Sequence, residues 1–411
     1  MRFRAGQSVL LGACLSVLGA SHTMAQEMTE GEAVQRFERE NAQVRALAAR
    51  VREVRAEFRA FSLAPNPSVT YTREDSAGTR DDFLLVHQAL PVTGRLGLLR
   101  RAGDSATSAA QANTDYSLLL LRSEFRMSFH TLLLAQEREA HTAKAVSDLQ
   151  EILRILRDRE REGEGSAFDR LRAERELADA QVNLASAQVL LAQARSRLAA
   201  MLAPGTDPAT LKARGEIAGG GSLPSVQDLL TRALEKRGDL TARRDDLERL
   251  GYEERAAERL RIPEPILSAG LKRTHIPGVS DNGYAVSVTV PITLFNRGQT
   301  EVQRTRAAQE RTQAELVAQR QQIETEVKAA YEGLRLRRQI AEQYATELGQ
   351  KGVQLFRISQ VAYQEGEQGI LELLDAYRTT LFSRLRVLEL AWSAKQAEIE
   401  LNRAVGEEVL P

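Results

Sequence analysis

The side chains able to do chemistry are few and scattered. Among 411 residues the chain has one cysteine, Cys14, and five histidines. His130 and His141 fall in a long charged stretch, and His87 and His275 fall in or beside strand-like segments. None has a histidine partner four residues away. A single cysteine makes neither an internal disulfide nor a Cys-based zinc site, and isolated histidines are no ligand set. No Gly-rich phosphate loop, zinc-protease motif or serine elbow is evident. The residues give no reason to expect an enzyme, a cofactor or a bound metal. Three acids close to glycine turns remain: Asp169, Glu372 and Asp375. From spacing alone they read as solvated charges on an exposed turn of helix.

The elements that would carry them are helical. Charged residues make up 27% of the chain and aromatics 5%, a composition of long helices and coiled coils. Only 11 prolines interrupt it. Lys plus Arg and Asp plus Glu both number 56, and this zero net charge argues against a nucleic-acid partner. Arg2 and Arg4 precede an apolar run from Val9 to Ala20, with small and polar residues up to Ala25. Residues 1–25 therefore read as an export signal, too short to span a membrane. Leu11 to Cys14 also resembles a lipobox, which leaves acylation of Cys14 as the other reading. After cleavage at Ala25 the chain would carry 54 basic and 56 acidic residues, a net charge of −2. An exported chain without a second long apolar segment is periplasmic, secreted, or an outer-membrane β-barrel.

The chain repeats itself. Pro65-Asn66-Pro67 is matched by Pro263-Glu264-Pro265, an offset of 198 residues. Leu90-Pro91-Val92-Thr93 is matched by Val290-Pro291-Ile292-Thr293, an offset of 200, and Glu162-Gly163-Glu164 by Glu365-Gly366-Glu367, an offset of 203. Each half reads as helix, hairpin, very long helix, glycine turn and helix. Leu177, Leu184, Leu191 and Leu198 recur every seven residues, with Ala180, Ala187, Ala194 and Met201 three places later. That is a helix-packing seam. Around Leu267 to Leu271 and Tyr284 to Val290 the apolar period is two, over strands of about ten residues, enough for a tilted strand to cross a bilayer. Arg73 to Asp82 and His275 to Gly283 read as the intervening loops. Phe83 to Leu90 is apolar on both faces, so its lipid side stays open. By periodicity alone each pair reads first as an ordinary β-subdomain hairpin.

Lengths tie the pieces together. Each long helix of about 65 residues would span about 100 Å, and two flanking helices of about 36 residues end to end match it. The organisation expected is a signal over 1–25, a first repeat over 26–203, an equatorial linker over 204–224 and a second repeat over 225–411. The hairpins are expected at about 66–91 and 265–291, and the tips at about 163–167 and 366–369. Four strands cannot close a barrel, and open edges are not tolerated in lipid. A ring of identical chains pools them, and three chains would give 12 strands. The fold class is mainly α, with a small transmembrane β part and duplicated antiparallel helical hairpins.

On these grounds the chain resembles the outer-membrane efflux protein family, the TolC-like exit ducts. The most specific stretch is Ala362-Tyr363-Gln364-Glu365-Gly366 continuing through Ile370-Leu371-Glu372-Leu373-Leu374-Asp375-Ala376, with Gly163 to Asp169 a looser counterpart. Its compact length is most similar to the CzcC-like branch of heavy-metal cation efflux. The resemblance implies a homotrimer with a shared 12-stranded barrel in the outer membrane of a Gram-negative bacterium and a periplasmic helical tunnel. It implies docking, at tips built on Gly163, Gly165, Tyr363, Gly366 and Gly369, to a periplasmic adaptor and an inner-membrane pump of the resistance-nodulation-division type. It also implies a cation-attracting gate ring of Glu372, Asp375 and Asp169. Gln368 stands where some members carry a basic residue that ties the tip. The glycines are expected to supply positive φ at the reversals. The competing readings are a periplasmic adaptor of such a pump and a non-transport periplasmic coiled-coil scaffold.

Overall fold

The computed structural model describes residues 26–217 and 220–410. The expected export signal, Cys14 and Gly219 of the linker lie outside the described residues. The first half runs β1 (Gln26–Met28), α1 (Glu30–Glu40), α2 (Ala42–Phe61), β2 (Ser68–Ser76), β3 (Thr79–Ala89), α3 (Arg95–Arg161) and α4 (Ala167–Ala200). Then come β4 (Leu211–Ala213), α5 (Val226–Lys236), α6 (Gly238–Glu258), β5 (Ile266–Ile276), β6 (Val279–Thr289), α7 (Gln299–Tyr344), α8 (Gln350–Gln364) and α9 (Ile370–Val405). No proline lies between Pro91 and Pro204 or between Pro291 and Pro411, so nothing stops the long helices. At about 1.5 Å per residue α3 is about 100 Å long.

Several elements differ from the sequence expectation. The segments read as hairpin loops are mostly strand. β2 and β3 are joined by Ala77-Gly78 alone, both at positive φ, and β5 and β6 by Pro277-Gly278 with Gly278 at φ 90°. Such two-residue turns let polar strand ends stay paired beyond the lipid, which a hydropathy reading mistakes for loop. The helices before each hairpin are broken at Asn41 and Arg237, where the backbone turns extended. The Asn41 side chain accepts the Gln43 amide at 2.8 Å, capping the new helix. The second long helix is interrupted by a π-turn over Ala345–Gly349. A short parallel pair, β1 with β4, was not foreseen.

Three apolar clusters hold the shaft. One surrounds Phe37, Phe125, Phe129 and Leu132, with Phe37 and Phe125 stacked at 4.6 Å. Its counterpart gathers Leu229, Leu240, Ile323, Leu334 and Leu401. The third lies towards the tips. Arg126 in α3 pairs with Glu30 at the start of α1 and lies 3.7 Å from Glu408 beyond α9. The chain's last helix thus ends where its first begins, as the length match required.

β2, β3, β5 and β6 form one antiparallel sheet in that order. Tyr71 faces Leu84, Leu84 faces Leu271, and Leu271 faces Tyr284 across it. One residue pair further, Val69, Val86, Ala269 and Val286 are aligned the same way. These residues share one face, because strand side chains alternate. Leu84 and Val86 therefore take the apolar side, which the sequence left open. That face is exposed, Tyr284 by 85%, and Phe295 at the base of the sheet by 90%. Gly270 permits β3 and β5 to approach, since a Cβ there would meet the Leu84 carbonyl carbon at 2.9 Å. Among the described residues no helix is long and apolar enough to cross a membrane.

Candidate functional site: the paired helical tips

Both tips are reversals made by a glycine with φ near 80°. Gly163 has φ 81°, and the next amide, Glu164, donates to the Arg159 carbonyl at 2.9 Å. Gly366 has φ 77°, and Glu367 donates to the Ala362 carbonyl at 2.8 Å. These bonds satisfy orphan carbonyls at the helix ends. The other two glycines serve differently from the expectation. Gly165 is needed for close approach, because a Cβ there would lie 2.7 Å from the Glu160 amide nitrogen. Gly369 has φ −84° and simply precedes α9 as its N-cap, a conformation open to any residue.

The two hairpins are packed together by one cluster. Leu149, Leu153 and Leu156 of α3 meet Ala173 of α4 and Leu373, Leu374 and Tyr377 of α9. Phe356 of α8 lies edge-on to Tyr377 at 5.2 Å. Polar ties cross the same seam. The Arg159 guanidinium sits 5.4 Å over the Tyr363 ring, joining the first tip to the second. Arg378 of α9 forks onto the carboxylate of Glu176 in α4, its Nε 2.7 Å from Oε1. Glu176 is buried, so this pair is partly shielded from water. Within the first hairpin Arg170 reaches Glu160 at 2.7 Å and Arg157 reaches Glu174 at 2.9 Å.

Burial raises the Tyr363 hydroxyl pKa, partly offset by Arg159, and the charge of Asp169 adds to the rise. Burial likewise raises the Tyr377 hydroxyl, helped by Asp148. The hydrogen bond from Arg157 holds the Glu174 carboxyl below its usual value. Both tyrosines are therefore neutral hydrogen-bonding groups at neutral pH.

Of the sequence-derived residues, Tyr363 and Asp169 come together with Arg159 at the meeting of the tips. Glu372 and Asp375 stand apart on the exposed face of α9. Neither forms an ion pair among the described residues, and Asp375 is felt electrostatically by Arg378. Gln368 is exposed, with its backbone amide on the Ala362 carbonyl at 3.2 Å. On the opposite face of α9, between α3 and α8, runs a cleft of about 430 Å³. Arg159, Tyr363, Tyr377 and Arg384 line it. Sequence reasoning missed Arg159, Glu176 and Arg378. Glu176 and Arg378 lie 202 residues apart, and no local pattern announces such a pair. Among the described residues no cluster of His, Cys, Asp and Glu could hold a metal ion.

Residues 229–407 match the family model described as outer membrane efflux protein. The second repeat is an outer membrane efflux protein domain. The chain is 23% identical over 347 residues to the cobalt-zinc-cadmium resistance protein CzcC of Cupriavidus metallidurans, covering 84% of this chain and 82% of that one. Its fold is that of the outer-membrane channel OprN, at 21% identity and a TM-score of 0.73, over 92% of this chain and 89% of that one. The open state of the Neisseria gonorrhoeae channel MtrE aligns with a TM-score of 0.74 at 18% identity, over 92% and 89%. Residues 229–407 are thus those of an outer membrane efflux protein, and the whole chain has the fold of outer-membrane channels.

Proposed function

We propose that three copies of this chain close into one duct that carries divalent metal cations out of the cell, fed by a periplasmic adaptor and an inner-membrane pump. One observation carries the assembly. β2 and β6, the edges of the four-stranded sheet, have no partner strand among the described residues. The sheet's apolar face is exposed as well, and an open edge does not persist in lipid. Three copies supply 12 strands and remove every edge.

The shaft supports the same closure. α4 packs on α3, and α8 packs on α9, so α4 and α8 lie at opposite sides of the lower half. Each carries exposed apolar residues: Leu171, Val182 and Val189 on one, Leu355 and Ile358 on the other. Ile340 extends the second stripe along α7. Unlike patches at the two sides of one subunit suit head-to-tail packing, which closes into a ring.

In that ring Glu372 and Asp375 face the axis and bring six carboxylates together at the entrance, while Asp169 stays with Tyr363 at the meeting of the tips. Such a ring draws cations and repels anions. The cation cargo is supported by the name of the relative CzcC, a cobalt-zinc-cadmium resistance protein. The glycine tips are the docking surface for the adaptor. Opening is an iris-like movement of the hairpins that parts Arg159 from Tyr363 and Arg378 from Glu176. Planar-bilayer recording tests the ring. The double variant Glu372→Ala, Asp375→Ala lowers cation over anion permeability, and unchanged selectivity would remove the ring from the mechanism. Loss of the chain from its host lowers tolerance to cobalt, zinc or cadmium. Sensitivity to organic compounds alone would assign another cargo.

A further inference from the structure

We propose that Phe382 and its two symmetry copies form an apolar ring inside the duct, about two helix turns from the acidic ring, and that this ring is the water-excluding barrier of the resting entrance. The inference rests on the reading that Glu372 and Asp375 face the axis.

The helix geometry then leaves no freedom. α9 is unbroken from Ile370 to Val405. Seven residues separate Asp375 from Phe382, a rotation about 20° short of two full turns and a rise of about 10 Å. Whatever direction Asp375 faces, Phe382 faces too. Glu372, Asp375, Thr379, Phe382 and Arg386 follow one another at alternating spacings of three and four, and all are exposed. Phe382 is the one apolar member of that series and is 66% exposed; Leu371, four residues before Asp375 and 43% exposed, shares its direction at the very tip.

Three simpler explanations fail. Phe382 is not part of the chain's own apolar clusters, whose α9 contributions near the tip are Ile370, Leu373, Leu374 and Tyr377. It is not at a lateral edge, because α9 is flanked within the chain by α3 on one side and α8 on the other. A neighbouring subunit packs on α4 or α8 and leaves the inner face of α9 clear. It also does not face the cleft beside Arg159 and Arg384, which opens on the other side of the helix. On the duct side Phe382 overlooks a shallow groove shared with Leu385 and the Arg378–Glu176 pair.

The two rings divide the work. Carboxylates select the sign of the ion but do not stop hydrated cations. An apolar constriction stops them by dewetting, without any charge of its own. Parting the hairpins widens the Phe382 ring, lets water fill it, and opens a path already selective for cations.

The test uses the intact mature protein in planar bilayers. Phe382→Ala and Phe382→Ser raise the resting conductance several-fold with potassium-over-chloride selectivity unchanged, while Phe382→Leu stays near wild type. A trimer band on a mild gel shows that each variant is assembled. If assembled Phe382→Ala conducts like wild type, the ring is wrong. If Phe382→Ala changes selectivity and leaves conductance alone, the division between the two rings is wrong. Wild type and every variant alike forming no channel would instead remove the duct reading on which the ring depends. Altered selectivity in the Glu372 and Asp375 variant beside a silent Phe382→Ala would remove only the Phe382 ring.

Discussion

The two halves of the chain began as one pattern and now do different mechanical work. α3 is an interior spine, with residues buried along its length from Ala102 to Leu156. Its counterpart α7 buries Thr305, Thr312, Ile323, Val327 and Leu334 and leaves Leu336 and Ile340 exposed. α3 is continuous to the tip, whereas α7 gives way to the π-turn at Ala345–Gly349 before α8 resumes. π-turns often mark functional sites within helices. Beyond it α8 is held to α9 by Thr380, whose hydroxyl donates to the Gly352 carbonyl at 2.6 Å. Position explains the difference. A helix surrounded on both sides becomes a spine, and a helix at the edge of the chain keeps an exposed face and a place to bend.

The largest expected effect contrasts the two faces. Phe129→Ala in the spine costs about 3–5 kcal/mol of stability, from lost burial and a residual cavity. Ile340→Ala leaves the fold of the subunit within about 0.5 kcal/mol, as for an exposed site, but weakens the trimer. Denaturant titration of detergent-solubilised protein, with mild gels for assembly, reads both. Equal losses of stability would break the contrast. The second effect concerns the bend. Amide exchange at 345–352 is roughly tenfold faster than at the matching stretch 142–149 of α3, because the π-turn opens locally. Equal protection would make the second hairpin as stiff as the first.

A smaller effect lies at the ties between hairpins. Arg159→Ala removes a part-exposed cation over an aromatic ring, worth about 0.5–1 kcal/mol. The expected result is a higher open probability in bilayers with little change in thermal stability. The smallest effect is at mid-shaft. Burial opposes the charge on Glu30, but His130 and Arg126 outweigh it and lower its pKa from 4.5 to about 2. Its contribution to stability is therefore complete above pH 4.5 and is lost as pH falls towards 2. Glu30→Gln flattens this part of the acid-unfolding curve. An unchanged curve would show that the pair adds nothing.

Much of the shaft was legible because its signals are local. The absence of proline after Pro91 and Pro291 predicts the long helices, and Gly163 and Gly366 mark the reversals. The duplicated Pro-x-Pro landmarks place the hairpins. What was hidden depends on contacts between distant residues. Which face of Phe83 to Leu90 meets lipid follows only from its register with Tyr71 and Leu271. The Arg378–Glu176 tie and the β1–β4 pair join the two halves or the ends of one, with no local spacing to betray them. The π-turn has no proline or charge signature. At the tips the types of Tyr363, Glu372 and Asp375 could be read, but not that Arg159 would stand over Tyr363.

The strand edges provide the most direct test. Within the chain His87 of β3 pairs with Ser268 of β5. Carried across the offsets of 200 and 198 residues, that pairing sets Ser287 of β6 against Thr70 of the next subunit's β2. Inside one sheet these positions lie on opposite edges, three strand spacings or about 14 Å apart, too far for a disulfide. The mature chain expected after cleavage at Ala25 has no cysteine of its own. In Ser287→Cys, Thr70→Cys protein the account predicts oxidative cross-linking between subunits in membranes, with a ladder that stops at three chains, and none in either single variant. Monomers alone after oxidation, in folded protein, would contradict it.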